Sequence, residues 1–215
     1  LALVDQSRGA VNSMYLGAVG SGLYSGSEGA ALASQVNAER EALIRWSFAD
    51  YTRFCGLIRI VPKSGGRVPL RLNDMQRAYV RNRSPRDQLL KGRQMGATTE
   101  EQARDIWHFL THPSPRVTTM CQSIQDIDSP LRVLARNYNV MFEGLASLGL
   151  SLPFSRASAG VWEIPGRDAV LRIVEAGASL ASAAKKGRAG TITRLHTTET
   201  AFWEFASDTL NAMVE

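Results

Sequence analysis

The sequence predicts an α/β layer fold with a mainly parallel central sheet flanked by helices, preceded by an N-terminal arm and helix. Two observations carry this. From residue 57 onward short apolar runs of strand type alternate with segments of helical period, and one glycine-containing loop stands between a strand pattern and a helix pattern. With 215 residues, 44% hydrophobic and 21% charged, the chain has material for an ordinary globular core, and general disorder is excluded. Lys and Arg number 25 against 20 Asp and Glu, and the net charge of +5 favours polyanionic partners such as nucleic acid or nucleotides. Cys55 and Cys121 stand far apart with no CxxC spacing, so neither a disulfide framework nor a zinc site is expected, and reduced thiols in a cytosolic compartment fit.

Residues 1–30 hold six glycines and five serines without a sustained period, the composition of a flexible arm. The glycines also dilute the uncharged stretch 9–27 below what a membrane-spanning helix needs. Leu32, Val36, Leu43 and Trp46 then recur at helical intervals, predicting an amphipathic helix that continues to about Phe54. A strand follows at 57–61 and a turn or loop at 62–69. Asn73 or Asp74 caps a helix that stops before Ser84 and Pro85. Strand 87–91, loop 92–97 and helix 98–110 come next, closed by His112 and Pro113. Strand 116–122 precedes a helix over about 129–148 with Pro130 in its first turn. Residues 162–164 and 169–175 read as antiparallel strands around the Pro165-Gly166-Arg167 turn, 191–196 as a further strand, and a last helix starts near Phe202.

The chemistry concentrates in Lys91-Gly92-Arg93-Gln94-Met95-Gly96-Ala97-Thr98-Thr99. Between a strand and a helix, successive backbone N–H groups and a helix N-terminus surround phosphates, which is the logic of a P-loop. Gly96 fills the second glycine position and Thr98 the magnesium-binding hydroxyl, but Ala97 stands at the usual lysine and Lys91 at the first glycine. Lys91 at the head of the loop or Arg93 within it therefore supplies the cation that charge on the terminal phosphates requires. About a hundred residues on, a strand delivers Thr198 and Glu199. Glu199 is the candidate for orienting attacking water, and Thr198 occupies the place of a metal-binding acid, able to add only a hydroxyl. Gln76, fifteen residues before Lys91, offers the donor and acceptor that adenine requires. Other features carry less: Arg77, Arg81, Arg83 and Arg86 are a basic run that suits either DNA phosphates or a solvated face, and Lys185, Lys186 and Arg188 a basic loop. His108 and His112 are four apart without an intervening acid, which does not suit a metal site, and Trp162, Phe202 and Trp203 read as packing residues.

The Pro-Leu-x-Leu-Asn-x-x-Gln segment ending at Gln76, the loop 91–99, the Gly187-Arg188-Ala189-Gly190-Thr191 approach and the Leu195-His196-Thr197-Thr198-Glu199-Thr200-Ala201-Phe202-Trp203 strand end, in this order, resemble the N-terminal ATPase domain of phage terminase large subunits, over about residues 57–204. The resemblance implies a P-loop NTPase layer fold over 31–215. It implies ATP and Mg2+ as cofactors, with Gln76 and residues Lys91, Gly92, Arg93, Gln94, Met95, Gly96, Ala97, Thr98 and Thr99 around the nucleotide. Glu199, Arg93 and Lys91 would be catalytic, with Thr98 and Thr198 at the metal. Double-stranded DNA, a small terminase subunit, a portal protein and a homo-oligomeric ring would be the partners, in the host cytoplasm and away from membranes. The family's coupling motif and nuclease domain would lie beyond Glu215, so DNA cleavage is not expected of this chain. Two rivals remain: a superfamily 2 helicase fragment, whose Gly-Lys-Thr and Asp-Glu strings are absent, and a non-catalytic nucleotide-binding, DNA-binding or portal-docking module with a degenerate loop.

Overall fold

The computed structural model describes residues 27–89, 95–122, 129–150, 155–158, 160–176, 192–198, 200 and 206–207. The chain divides into two units between Asp50 and Tyr51. The first unit contributes helix α1 (Ser27–Phe48). It begins within the stretch expected to be an arm, and ends before Phe54, at a break over Ala49 and Asp50. Leu43 and Trp46 of the expected apolar stripe stand exposed, at 43% and 55%.

The second unit opens with α2 (Tyr51–Cys55), whose Tyr51, Phe54 and Cys55 are buried. Strand β1 (Arg59–Ile60) pairs antiparallel with β2 (Val68–Pro69), so the expected strand at 57–61 is shorter and the expected loop ends in a partner for it. Helix α3 (Asp74–Arg81) is capped by Asn73 as expected. Residues 87–89 form no strand. The Asp87 carboxylate instead closes a turn by accepting from the Ser84 amide at 3.0 Å, and no neighbouring strand takes up the backbone of 87–89 among the described residues.

Helix α4 (Ala97–Thr111), β3 (Arg116–Cys121), α5 (Pro130–Ser147), β4 (Ser155–Ser158), β5 (Val161–Ile164), a 3-10 turn (Pro165–Arg167), β6 (Ala169–Glu175) and β7 (Arg194–Thr197) follow. Pro130 sits in the first turn of α5, where its missing N–H costs nothing, and Ser129 accepts from the Arg132 amide. The five strands β4–β5–β6–β3–β7 form one sheet in that order. Strand β3 is parallel to both β6 and β7, whereas β4, β5 and β6 pair antiparallel. The sheet is therefore mixed and not mainly parallel. The reason is connection length: the tight turn at Pro165–Arg167 joins β5 to β6 only as a hairpin, while parallel pairs need a crossover of a dozen residues or more.

Alternation assigns the two faces. Val117, Thr119, Leu171, Ile173, Trp162 and Ile164 share one face with Arg194 and His196, by register. Helices α4 and α5 pack against the sheet and against each other. Phe142 of α5 meets Phe109 of α4 edge-on at 6.1 Å, and Trp162 stands 5.3 Å from the Tyr138 ring, so Trp162 is core as expected. On the other face Met120 and Ala176 pack with Val174 and Ala206. Gly144 lets α5 lie against β1, since a Cβ there would fall 2.6 Å from Arg59 Cγ. Among the described residues no helix is long and apolar enough to cross a membrane.

Candidate functional site

The expected phosphate loop enters α4 through Met95 and Gly96. Gly96 adopts φ +76°, a left-handed conformation open to glycine, and a Cβ on it would stand 2.9 Å from Gln76 Nε2. The contact is made by a second use of the α3 cap. Asn73 Oδ1 accepts from the Gln76 amide at 2.9 Å and Gln76 Oε1 accepts from the Asn73 amide at 2.8 Å, a reciprocal capping box. The same two side chains then donate outward, Gln76 Nε2 to the Gly96 carbonyl at 2.8 Å and Asn73 Nδ2 to the Met95 carbonyl at 3.2 Å. Gln76 is 4% exposed. A contact from Gln76 to adenine therefore requires its second Nε2 hydrogen, the second lone pair of its Oε1, or release of Gly96.

Among the described residues no side chain caps α4, and the N–H groups of Ala97, Thr98 and Thr99, in its first turn, have no acceptor within the helix. Ala97 is buried, Thr98 and Thr99 are half-buried and Met95 is exposed. Lys91, Gly92, Arg93, Gln94 and Glu199 lie outside the described residues. Thr198 follows β7, is buried, and donates its amide to the Met120 carbonyl at 2.9 Å, which extends the parallel ladder by one residue. Helix α4 and β7 run in opposite directions: His108 meets Thr193 at 3.2 Å, while Asp105, one turn toward the helix start, meets His196 at 2.8 Å. The N-terminus of α4 and the carboxyl end of β7 consequently share one edge of the sheet. Thr98 lies about 10 Å up the helix from Asp105.

Between α4 and β7 is a buried polar network that the sequence reading does not single out. Asp105 is fully buried, and its Oδ1 accepts from Arg194 Nε at 2.6 Å. Its Oδ2 faces His196 Nδ1 at 2.8 Å, Tyr138 Oη at 2.6 Å and Thr119 Oγ1 at 3.0 Å. The two hydroxyls are 2.6 Å apart, so two protons serve three contacts. Glu101, one turn before Asp105, accepts from Arg194 Nη2 and, at 2.9 Å, from Arg83 Nη2. Arg83 also stands 3.7 Å from Glu100 and 3.9 Å from Asp87. Burial alone would raise the Asp105 pKa, but the charges of Arg194 and His196 and the hydrogen bonds of His196 and Tyr138 outweigh it and hold the carboxyl well below the usual range. Glu101 is lowered in the same way, burial being overcome by Arg83 and Arg194. Glu100 is raised, by burial first and then by the charge of Glu101.

Ligand atoms of Glu101, Asp105 and His196 lie within 4.8 Å of one another, a donor set that a cation would accept. Here the Arg194 guanidinium already occupies the space between the two carboxylates, and both Asp105 oxygens are engaged by protein donors. The cluster is an ion-pair network and not a cation site. His108 and His112 stack with ring centroids 3.7 Å apart, His108 facing Thr193 at 3.2 Å and His112 facing Thr111 at 3.1 Å. A sequence signal for the network exists: acids four apart on a helix, and a basic pair two apart on a strand, each fall on one face.

Of the basic run, Arg83 points into this network, with its side chain 19% exposed, and Arg77 binds Asp74 at 2.6 Å. Arg81 and Arg86 are exposed. Comparisons with family models, curated proteins and solved structures gave no match.

Proposed function

We propose that this chain is a P-loop ATPase domain of the terminase kind, which binds ATP with magnesium and couples its hydrolysis to movement of double-stranded DNA into a procapsid. One observation carries the reading. The start of α4, which the Lys91–Thr99 motif runs into, lies at the same end of the sheet as the carboxyl end of β7, which leads through Thr198 into Glu199. Nucleotide sites in open α/β sheets form at the carboxyl ends of parallel strands, against a helix N-terminus.

In this reading the first-turn N–H groups of Ala97, Thr98 and Thr99 receive phosphate oxygens, and Lys91 and Arg93 balance their charge. Thr98 and Thr198 would hold magnesium, but both are neutral hydroxyls, so the phosphate oxygens bring the opposing charge. The metal supplies electrostatic stabilisation when bound. Glu199 accepts a proton from water and orients it. Asn73 and Gln76 keep the loop entry in place. DNA, portal and small-subunit partners and a ring assembly belong to the same proposal.

A second reading, a non-catalytic nucleotide-binding or docking module, is favoured by one feature: the loop and the Asn73 cap already engage one Nε2 hydrogen and one Oε1 lone pair of Gln76. Calorimetry with ATP and magnesium separates the two, on the unmodified chain and on Lys91→Ala, Arg93→Ala and Glu199→Gln, with turnover measured on the same samples. The motor reading expects binding lost in the loop variants but kept in Glu199→Gln, with turnover lost in all three. Binding without turnover in the unmodified chain supports the nucleotide-binding form of the second reading, and a folded chain that binds no nucleotide refutes the motor reading and leaves the docking form.

A further inference from the structure

Strand β7 is four residues long and pairs only with β3 among the described residues. A strand held by one ladder has half the backbone restraint of a central strand, and parallel pairs are slightly weaker per residue than antiparallel ones. Something else must fix how far it reaches along the sheet. Two of its side chains do so. Arg194 spans Asp105 with Nε and Glu101 with Nη2, carboxylates one helical turn apart, and His196 returns to the far oxygen of Asp105. A planar guanidinium bonded to two fixed acceptors defines translation and rotation together, which a lysine ammonium does not. Arg83 holds Glu101 as well and so ties in the segment after α3.

We propose that Arg194, clamped between Glu101 and Asp105, is a positioning residue that sets the height of the carboxyl end of β7, and with it Thr198, against the N-terminus of α4. The inference rests on the reading of that edge as the nucleotide site. Arg194 touches no reacting atom in it; a misplacement of about 1 Å in such a constellation costs up to about a hundredfold in rate.

The test compares the unmodified chain with Arg194→Lys and Asp105→Asn, both of which keep the side chains close in size. Amide hydrogen exchange is read at Thr198, bonded to Met120, and at Ile173, bonded to Gly160. In the same samples ATP affinity and turnover are measured. The expected result in both variants is Thr198 exchange faster by about tenfold or more with Ile173 changed by less than about twofold. With it, turnover falls about tenfold to a hundredfold while ATP affinity stays within about threefold. Unchanged Thr198 exchange overturns the proposal, as does equal quickening at Ile173, which marks general destabilisation. Full turnover with a loosened Thr198 also overturns it. If the unmodified chain binds no ATP, the nucleotide reading fails by itself, and the exchange at Thr198 against Ile173 still decides whether Arg194 positions β7.

Discussion

The carboxamide nitrogen of Gln76 donates to the carbonyl of Gly96 at 2.8 Å, across twenty residues of sequence, while its carboxamide oxygen caps its own helix. One side chain therefore ends the loop before α4 and starts α3.

Gln76→Ala is expected to cost about 1–2 kcal/mol in urea denaturation, from the lost reciprocal half of the capping box and a lost buried hydrogen bond to Gly96. The Glu100 amide, which bonds to the Gly96 carbonyl, should exchange faster in the same variant. Gly96→Ala should cost about 1–3 kcal/mol, because an alanine at φ +76° is strained and its methyl meets Gln76. Wild-type stability in Gly96→Ala would show that the left-handed conformation is not kept in solution.

Glu100 and Glu101 are neighbours in sequence with opposite shifts, and they should respond unequally to neutralisation. Glu101→Gln leaves Arg83 and Arg194 short of a buried counter-charge, and a loss of about 3–5 kcal/mol is expected. Glu100→Gln relieves a carboxylate whose charged form is disfavoured by burial and by Glu101, so it should cost less than about 1 kcal/mol at pH 7. Equilibrium unfolding of the two variants measures the order, and the reverse order refutes this account of the network.

Acid sensitivity should begin with His108. Its pKa is lowered from 6.5 to about 4, by burial first and then by the charges of His112 and Arg194, with Asp105 opposing and Thr193 as its hydrogen-bonding neighbour. Above pH 6.5 the ring is neutral in both states. As pH falls from there toward 4 the unfolded chain takes up a proton that the folded one refuses, so stability is lost across that window. Asp105 and Glu101, held low, stabilise above the ordinary carboxylate range, and this is lost only as pH falls through their lower folded values. Glu100 acts in the other sense, and its contribution fades as pH rises through its raised value. His108→Gln should flatten Tm against pH between 6.5 and 4, and an unchanged slope would remove His108 as the cause.

The arginines after Asn73 should separate by role. Arg83→Ala is expected to destabilise by on the order of 3 kcal/mol, as one partner of a buried ion pair. Arg81→Ala with Arg86→Ala should leave stability within about 0.5 kcal/mol per site, since both are exposed. If this surface meets DNA, that pair alone lowers affinity and reduces the salt slope by about one to two. Equal loss of stability in both sets would show that exposure does not distinguish these residues.

Most elements of the second unit are written locally. Asn73 caps α3, Pro130 opens α5, a turn stands between β5 and β6, and apolar period marks α4, each at the expected place within a few residues. These are decided by neighbours within one or two turns of chain. The sequence also delimited the candidate loop at Gly96 and Thr98 and the strand leading to Thr198. Tertiary structure decided the rest. Residues 87–89 open the stretch expected as a strand but have no strand beside them among the described residues, because backbone pairing is a property of two segments. Gln76 has the chemistry of a base reader, yet its amide is held by Gly96, twenty residues away. Arg83 looks like its exposed neighbours in a basic run, and only packing turns it toward Glu101. Asp105, Arg194 and His196 form a site at all because α4 lies across β7, about ninety residues on, where burial makes each charge depend on the others.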